Sequence, residues 1–134
     1  MYKYLNILLI LSLSPAILFA AMTQKDIDKL YADPIIVGAK QRTININLPV
    51  DSTDGYRWFL NSPNYDYIRS TKFSHDSVDV DNSKWGGMDN FKFSVTDRFK
   101  KSPQKIMLHF ECFKPWEINP TILHKDVVVL TVNE

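Results

Sequence analysis

Apolar and polar residues alternate along several short segments of this chain, and this period of two restricts the fold more than any other feature. In residues 43–48, Ile44, Ile46 and Leu48 fall on one face of an extended segment and two asparagines on the other. This pattern is typical of a half-buried strand. The other strand candidates alternate in the same way or are rich in aromatic and β-branched residues: Tyr56 to Leu60, Tyr65 to Phe73, Phe91 to Val95, Leu108 to Cys112 and Val127 to Val132.

Helical periodicity is almost absent. Between Lys25 and Tyr31, two apolar residues stand three apart, which permits one or two turns of helix; an irregular segment explains them equally well. Residues 76–82 are polar and acidic and are interpreted as an exposed loop. Short strands separated by turn signals favour an all-β sandwich, and Trp58, inside a strand candidate, is assigned to its core.

The first 21 residues have the layout of a secretory signal peptide. Lys3 precedes an apolar run of about fifteen residues, and Ala20 and Ala21 offer a small-residue cleavage site. The run is short for a membrane-spanning helix of roughly twenty residues, although an uncleaved membrane anchor remains the alternative. We therefore expect a secreted or periplasmic protein whose single domain spans residues 22–134.

Charge and cysteine content narrow the possible binding partners of the mature chain and the interactions that can stabilise it. Loss of Lys3 with the leader leaves 15 basic and 15 acidic side chains out of the 16 and 15 in the full sequence. Such a balance argues against binding to nucleic acid or to an anionic membrane. Cys112 is the single cysteine, so no internal disulfide forms and the fold must be stable through packing alone.

Catalytic signatures are missing from the sequence. His75, His109 and His124 have no metal-ligand spacing, so we expect neither a metal site nor a cofactor. His109 and Cys112 lie three apart on a strand candidate, which points them to opposite faces and excludes a thiolate pair there. Cys112 is interpreted as a small buried apolar residue. There is no nucleophile elbow, P-loop or dinucleotide fingerprint, so an enzyme is not expected.

Three segments between the strand candidates carry residues that are unusual for loops. Trp85 and Trp116 lie in predicted loops, where a large aromatic side chain normally adds little to the core. Exposed aromatic residues are typical of protein-binding hot spots. Pro115 restricts the backbone beside Trp116 and reduces the entropy lost on binding. The three segments are Asp51-Ser52-Thr53-Asp54-Gly55-Tyr56-Arg57-Trp58, Trp85-Gly86-Gly87 ahead of Phe91, and Lys114-Pro115-Trp116-Glu117.

In their order and spacing these segments resemble the three binding loops of the chagasin family of cysteine peptidase inhibitors. That family carries an Asn-Pro-Thr-Thr-Gly-aromatic-x-Trp loop, a glycine-rich loop before a phenylalanine-containing strand, and an Arg-Pro-Trp loop. The resemblance extends over roughly residues 36–132. It implies an immunoglobulin-like β-sandwich whose three loops emerge side by side at one end and enter the cleft of papain-like peptidases.

The resemblance also implies which residues bind. Thr53 and Asp54 would plug the cleft, Gly55 would supply the turn, Trp85 and Trp116 would be anchors, and Lys114 a rim contact. The full predicted peptidase-binding set is Asp51, Ser52, Thr53, Asp54, Gly55, Tyr56, Trp85, Gly86, Gly87, Lys114, Pro115 and Trp116.

Several of these residues depart from the family pattern. Ser52 stands in place of proline, and Asp54 in place of the second threonine. The Asp54 carboxylate would either accept a hydrogen bond from the enzyme's imidazolium or repel its thiolate. Lys114 in place of arginine keeps the charge but loses bidentate contacts.

We therefore expect a monomeric, reversible inhibitor of papain-family, cathepsin L-like cysteine peptidases. An exported immunoglobulin-like adhesion or carbohydrate-binding module is the alternative, because exposed aromatic residues also stack on sugars.

Overall fold

The computed structural model describes residues 22–51, 55–61, 64–77, 86–118 and 122–132. Within these ranges the chain forms two short helices and seven strands. In chain order they are α1 (Gln24–Asp28), β1 (Ile35–Val37), β2 (Thr43–Val50), β3 (Arg57–Asn61), β4 (Ile68–Ser77), β5 (Gly87–Val95), α2 (Asp97–Lys100), β6 (Gln104–Phe113) and β7 (Leu123–Thr131). No helix in these ranges is long and apolar enough to cross a membrane. The predicted signal peptide, residues 1–21, lies outside the described residues and stays a prediction.

The strands form two sheets that pack face to face. A four-stranded sheet has the order β1-β7-β6-β3, and a three-stranded sheet has the order β2-β5-β4. The pairings are antiparallel except that β1 runs parallel to β7. Between the sheets, the rings of Phe91 and Phe110 meet edge to face with their centroids 5.0 Å apart. The protein is therefore a β-sandwich, which confirms the fold class predicted from the alternating pattern.

The core follows that alternation closely. Every second residue of the central strands points inward, and Trp58 is buried among them, as predicted. The inward-facing residues are Ile44, Ile46, Leu48, Val50, Trp58, Phe91, Phe93, Val95, Leu108, Phe110, Cys112, Val127 and Val129. The single cysteine lies in this layer as a free, buried thiol. Apolar packing between the two sheets, without a disulfide, therefore holds the sandwich together.

One strand differs from its predicted range. Tyr65 to Phe73 was expected to be extended, but β4 begins only at Ile68 because Asn64 starts a turn. The carbonyl of Asn64 accepts hydrogen bonds from the N–H groups of Tyr67 and Ile68 at 3.1 and 3.0 Å. Its side-chain oxygen also accepts from the N–H of Asp66 at 3.1 Å. At its other end β4 continues to Ser77, so the loop expected from residue 76 starts later, and residues 78–82 lie outside the described ranges.

Short elements account for the other differences. The open choice near residue 25 is resolved as helix α1, which begins with a capping box between Thr23 and Asp26 and buries Ile27. Strand β1, with three residues, and helix α2, with four, were not predicted. Segments of that length contain too few residues for a periodic pattern to distinguish them from loops.

Candidate functional site

Three connections of the sandwich meet at one end of the molecule. In the three-stranded sheet, Val50 and Ser77, at the ends of β2 and β4, both pair with Gly87, where β5 begins. In the four-stranded sheet, Phe113, at the end of β6, pairs with Arg57 at the start of β3. The β2–β3, β4–β5 and β6–β7 connections therefore leave the same pole, which we call the tip. Its described residues from the predicted binding set are Asp51, Gly55, Tyr56, Gly86, Gly87, Lys114, Pro115 and Trp116.

The first and third loops touch through Gly55 and Trp116. Gly55 has a φ of 87°, a conformation that favours glycine. A Cβ built on Gly55 would lie 2.1 Å from Cη2 and 2.6 Å from Cζ2 of Trp116, so the indole rests directly on the glycine backbone. Trp116 nevertheless remains 67% exposed. The sequence prediction of an exposed tryptophan is confirmed, and the fold seats its ring on a neighbouring loop.

Lys114 makes a second contact between the same loops. Its ammonium group lies 4.8 Å from the centre of the Tyr56 ring, within cation–π range. The carbonyl of Lys114 accepts a hydrogen bond from the N–H of Glu117 at 3.1 Å, which closes a turn with Pro115 at its second position. In the first loop, the N–H of Tyr56 donates to the carbonyl of Asp51 at 3.2 Å. Both loops are thus closed by their own backbone and held to each other by aromatic contacts.

Gly86 and Gly87 join the second loop to the rest of the tip. A Cβ on Gly86, which has a φ of 86°, would fall 1.8 Å from the carbonyl oxygen of Val50. A Cβ on Gly87 would fall 2.4 Å from the carbonyl oxygen of Asp76 and 2.8 Å from Cε1 of His75. Both glycines are buried, so they are close-packing positions and not an ordinary flexible link. Only a residue without a side chain allows these backbones to approach so closely.

A buried carboxylate supports the tip from below. Asp89, on the inward face of β5, is fully buried. Its Oδ2 accepts a hydrogen bond from the backbone N–H of Trp58 at 2.9 Å, and its Oδ1 lies 2.7 Å from Nδ1 of His75. The indole N–H of Trp58 in turn donates to the carbonyl of Pro49 at 2.8 Å. These bonds link the edge of β3, in one sheet, to β2, β4 and β5 in the other.

The pairing of Asp89 with His75 was not predicted from the sequence. A usable signal was present, since Asp89 precedes Phe91 and Phe93 at the same two-residue spacing and so must face inward. An aspartate at an inward strand position needs hydrogen-bond donors around it. This rule would have pointed to a polar link between the sheets.

The buried thiol of Cys112 lies close to this link and is not ionised. Burial raises the pKa of Cys112 to about 12, and the charges of Asp89 and Asp51 add to the shift. The thiol is therefore protonated at neutral pH, where a cysteine nucleophile would need to be a thiolate. This agrees with the interpretation of Cys112 as a core residue.

Part of the predicted binding set lies outside the described residues, namely Ser52, Thr53, Asp54 and Trp85. The described members do come together at the tip. The absence of a metal site stays a prediction, but it was based on the spacing of the three histidines along the chain, which does not report their distances in the fold. The β6–β7 hairpin brings His109 and His124 to a ring-centroid distance of 5.9 Å.

No protein-family model matches the sequence, and no curated protein matches it. The structure, however, is similar to the crystal structure of the cysteine protease inhibitor EhICP2 from Entamoeba histolytica. The TM-score is 0.50, and the match covers 75% of this chain and 95% of the other at 13% sequence identity. The two chains share a fold. At this identity the likeness establishes architecture, and the residues of the tip must carry any argument about function.

Proposed function

We propose that this protein is a reversible, non-covalent inhibitor of papain-family cysteine peptidases and that its tip occupies the active-site cleft. The observation that carries the proposal is Trp116, an exposed indole seated on Gly55 at the pole where three connections meet. The proposal is supported by the shared fold with a protein that is itself a cysteine protease inhibitor. It is also supported by the loop pattern of the sequence.

The geometry of the tip suits a binding surface that is formed before its partner arrives. Trp116 contributes a large apolar face, and its contact with Gly55 limits the orientations of the ring. Lys114, above the Tyr56 ring, places its ammonium group at the rim of the same surface, 3.6 Å from a carboxylate oxygen of Glu117. Side chains that are already ordered lose little entropy on binding, so more of the contact energy appears as affinity. Trp116 is accordingly assigned the role of anchor and Lys114 that of a rim contact.

In this proposal the first loop enters the cleft deepest. Thr53 and Asp54 form the plug over the catalytic cysteine of the enzyme, and Gly55 provides the turn behind them. Trp85, on the second loop, is proposed as the anchor on the opposite wall. Inhibition requires no chemistry from this chain, which is therefore proposed to be a binding protein and not an enzyme. It is proposed to act as an exported monomer.

A titration of active-site-calibrated papain and cathepsin L with the purified protein tests the proposal. Residual activity on a fluorogenic peptide is expected to fall linearly to an end point of one inhibitor per enzyme. Activity should return on dilution, and gel electrophoresis should recover the inhibitor uncleaved, as expected for non-covalent occlusion. Full peptidase activity in the presence of excess protein would reject the proposal. Glycan-array binding by the same preparation would then favour a carbohydrate-binding module.

A further inference from the structure

Four ionisable side chains gather on the outer face of the β6–β7 hairpin. His109 and Glu111 stand two apart on β6, and His124 and Asp126 stand two apart on β7. In the register of the hairpin, Glu111 pairs with His124 and His109 pairs with Asp126. Because the alternate residues of both strands face the core, these four side chains share the solvent side of the sheet. They are separate from the tip residues described above.

Three of these side chains present metal-ligand atoms to a common point. Nε2 of His109 lies 3.4 Å from Oε1 of Glu111, and Nδ1 of His124 lies 4.0 Å from the same oxygen. The three ligand atoms all fall within 4.8 Å of one another. Ligands of tetrahedral zinc, at about 2.0–2.1 Å from the ion, are separated by about 3.3 Å. The widest separation, at most 4.8 Å, would have to shorten by up to about 1.5 Å through side-chain rotation to match this geometry.

The surroundings orient both imidazoles. Asp126 lies within hydrogen-bond distance of Nδ1 of His109, so that nitrogen carries the proton and Nε2 remains the ligand atom. The backbone of His124 is held by Gln24, whose side chain donates to its carbonyl at 2.7 Å and accepts from its N–H at 2.9 Å. A carboxylate behind a histidine is the usual second partner of a zinc-bound imidazole.

We propose that His109, Glu111 and His124 bind one zinc ion on the outer face of the four-stranded sheet, with Asp126 as the positioning residue. Two imidazoles and one carboxylate suit zinc better than calcium or magnesium, which prefer an all-oxygen shell. Glu111 lies three residues before Lys114 and His124 directly follows Leu123, the first residue of β7. The ion would therefore join the two stems of the connection that carries Trp116. This proposal is independent of peptidase inhibition.

Direct binding of zinc chloride to a tag-free preparation provides the test. Isothermal titration calorimetry should give saturable binding of one zinc ion per chain. The hydrogen bond that His109 donates to the Asp126 carboxylate raises the pKa of His109, so a proton competes with the metal and the titration is best made above neutral pH. In imidazole NMR spectra, the signals of His109 and His124 should shift on addition of zinc. Those of His75, which is partly buried and held by Asp89, should stay in place and serve as an internal control.

Variants separate this site from general attraction of cations to a surface. His124→Ala and Glu111→Gln should each weaken zinc binding at least tenfold. Asp126→Asn keeps a hydrogen-bond acceptor but loses the charge, and should weaken it by about 10- to 100-fold. The matched control is Asp97→Asn, which removes an exposed carboxylate on α2 and should leave the affinity unchanged.

Circular dichroism would verify that each variant is folded before titration. Absence of saturable zinc binding would overturn the proposal. So would undiminished binding by folded His124→Ala and Glu111→Gln proteins, or an equal shift of the His75 signals.

Discussion

Replacement of Trp116 by alanine removes a large exposed aromatic surface at the tip. The residue is 67% exposed. Since a tryptophan buries up to about 250 Å² when fully covered, about 170 Å² is available for burial in a peptidase cleft. At about 25 cal/mol per Å² this area is worth at most about 4 kcal/mol, and the lower bound for a hot-spot residue is about 2 kcal/mol. We therefore expect the inhibition constant of Trp116→Ala to rise by about 30-fold to about 1,000-fold.

Steady-state inhibition of papain with a fluorogenic peptide substrate measures this change. Tyr65→Ala is the matched control, because Tyr65 is also an aromatic residue with 62% exposure but lies in the turn before β4, at the opposite pole. Its loss should leave the inhibition constant within about twofold of the unmodified protein, a change of about 0.4 kcal/mol. Since most of Trp116 is already in solvent, its replacement should lower the free energy of unfolding by less than about 1 kcal/mol. A loss of affinity of tenfold or less, or an equal loss in Tyr65→Ala, would refute the role of Trp116 as an anchor.

Three further predictions concern residues around and beneath the tip. Gly55→Ala adds a Cβ that collides with the indole of Trp116 and that is strained at a positive φ. It should weaken papain inhibition at least about tenfold while the far-ultraviolet circular dichroism stays unchanged. Unaltered inhibition would contradict the contact between the ring and Gly55. Asp89→Ala leaves buried N–H groups without their acceptor and should lower the free energy of unfolding by about 2–4 kcal/mol in urea titrations; a loss below about 0.5 kcal/mol would contradict that role. Cys112, with a pKa raised to about 12 by burial, should resist iodoacetamide at neutral pH in the folded protein and react once guanidinium unfolds it; rapid labelling of the folded protein would contradict its burial.

The sandwich was predictable because strand alternation reports burial directly. Ile44, Ile46 and Leu48 alternate with asparagine, and all three are buried in β2. The start of β4 was not predictable in the same way, since Tyr65 and Tyr67 are good strand residues and the turn depends on the hydrogen bonds of Asn64. Local side-chain capture of the backbone outweighed strand propensity at that point. A strand-propensity pattern does not include the competing hydrogen bonds of Asn64, so the start of β4 could be determined only from the structure.

The tip was only partly predictable. Trp116 was identified from its place beside a proline in a predicted loop, because a large aromatic side chain there adds little to the core. Its contact with Gly55 spans two segments about sixty residues apart, and no local pattern contains such a pairing. The histidine cluster was missed for the same reason, since its members lie on two different strands. His109 and His124 have no ligand spacing along the chain, and the register of the hairpin brings them together.

A chain with one cysteine must stiffen its loops without an internal disulfide, and this tip does so with backbone contacts that require glycine. Gly86 packs on Val50, Gly55 supports Trp116, and Asp89 ties the sheets together directly below. Gly86 and Asp89 are buried, whereas Trp116 is largely exposed, so their substitutions should have different effects. Changes at Gly86 or Asp89 should lower stability and inhibition together, because the loops lose their support. A change at Trp116 should lower inhibition alone, since its exposed face contributes little to folding. If Trp116→Ala instead destabilised the fold as much as Asp89→Ala, the indole would be a structural element of the tip, and the loss of inhibition would no longer identify a contact with the peptidase.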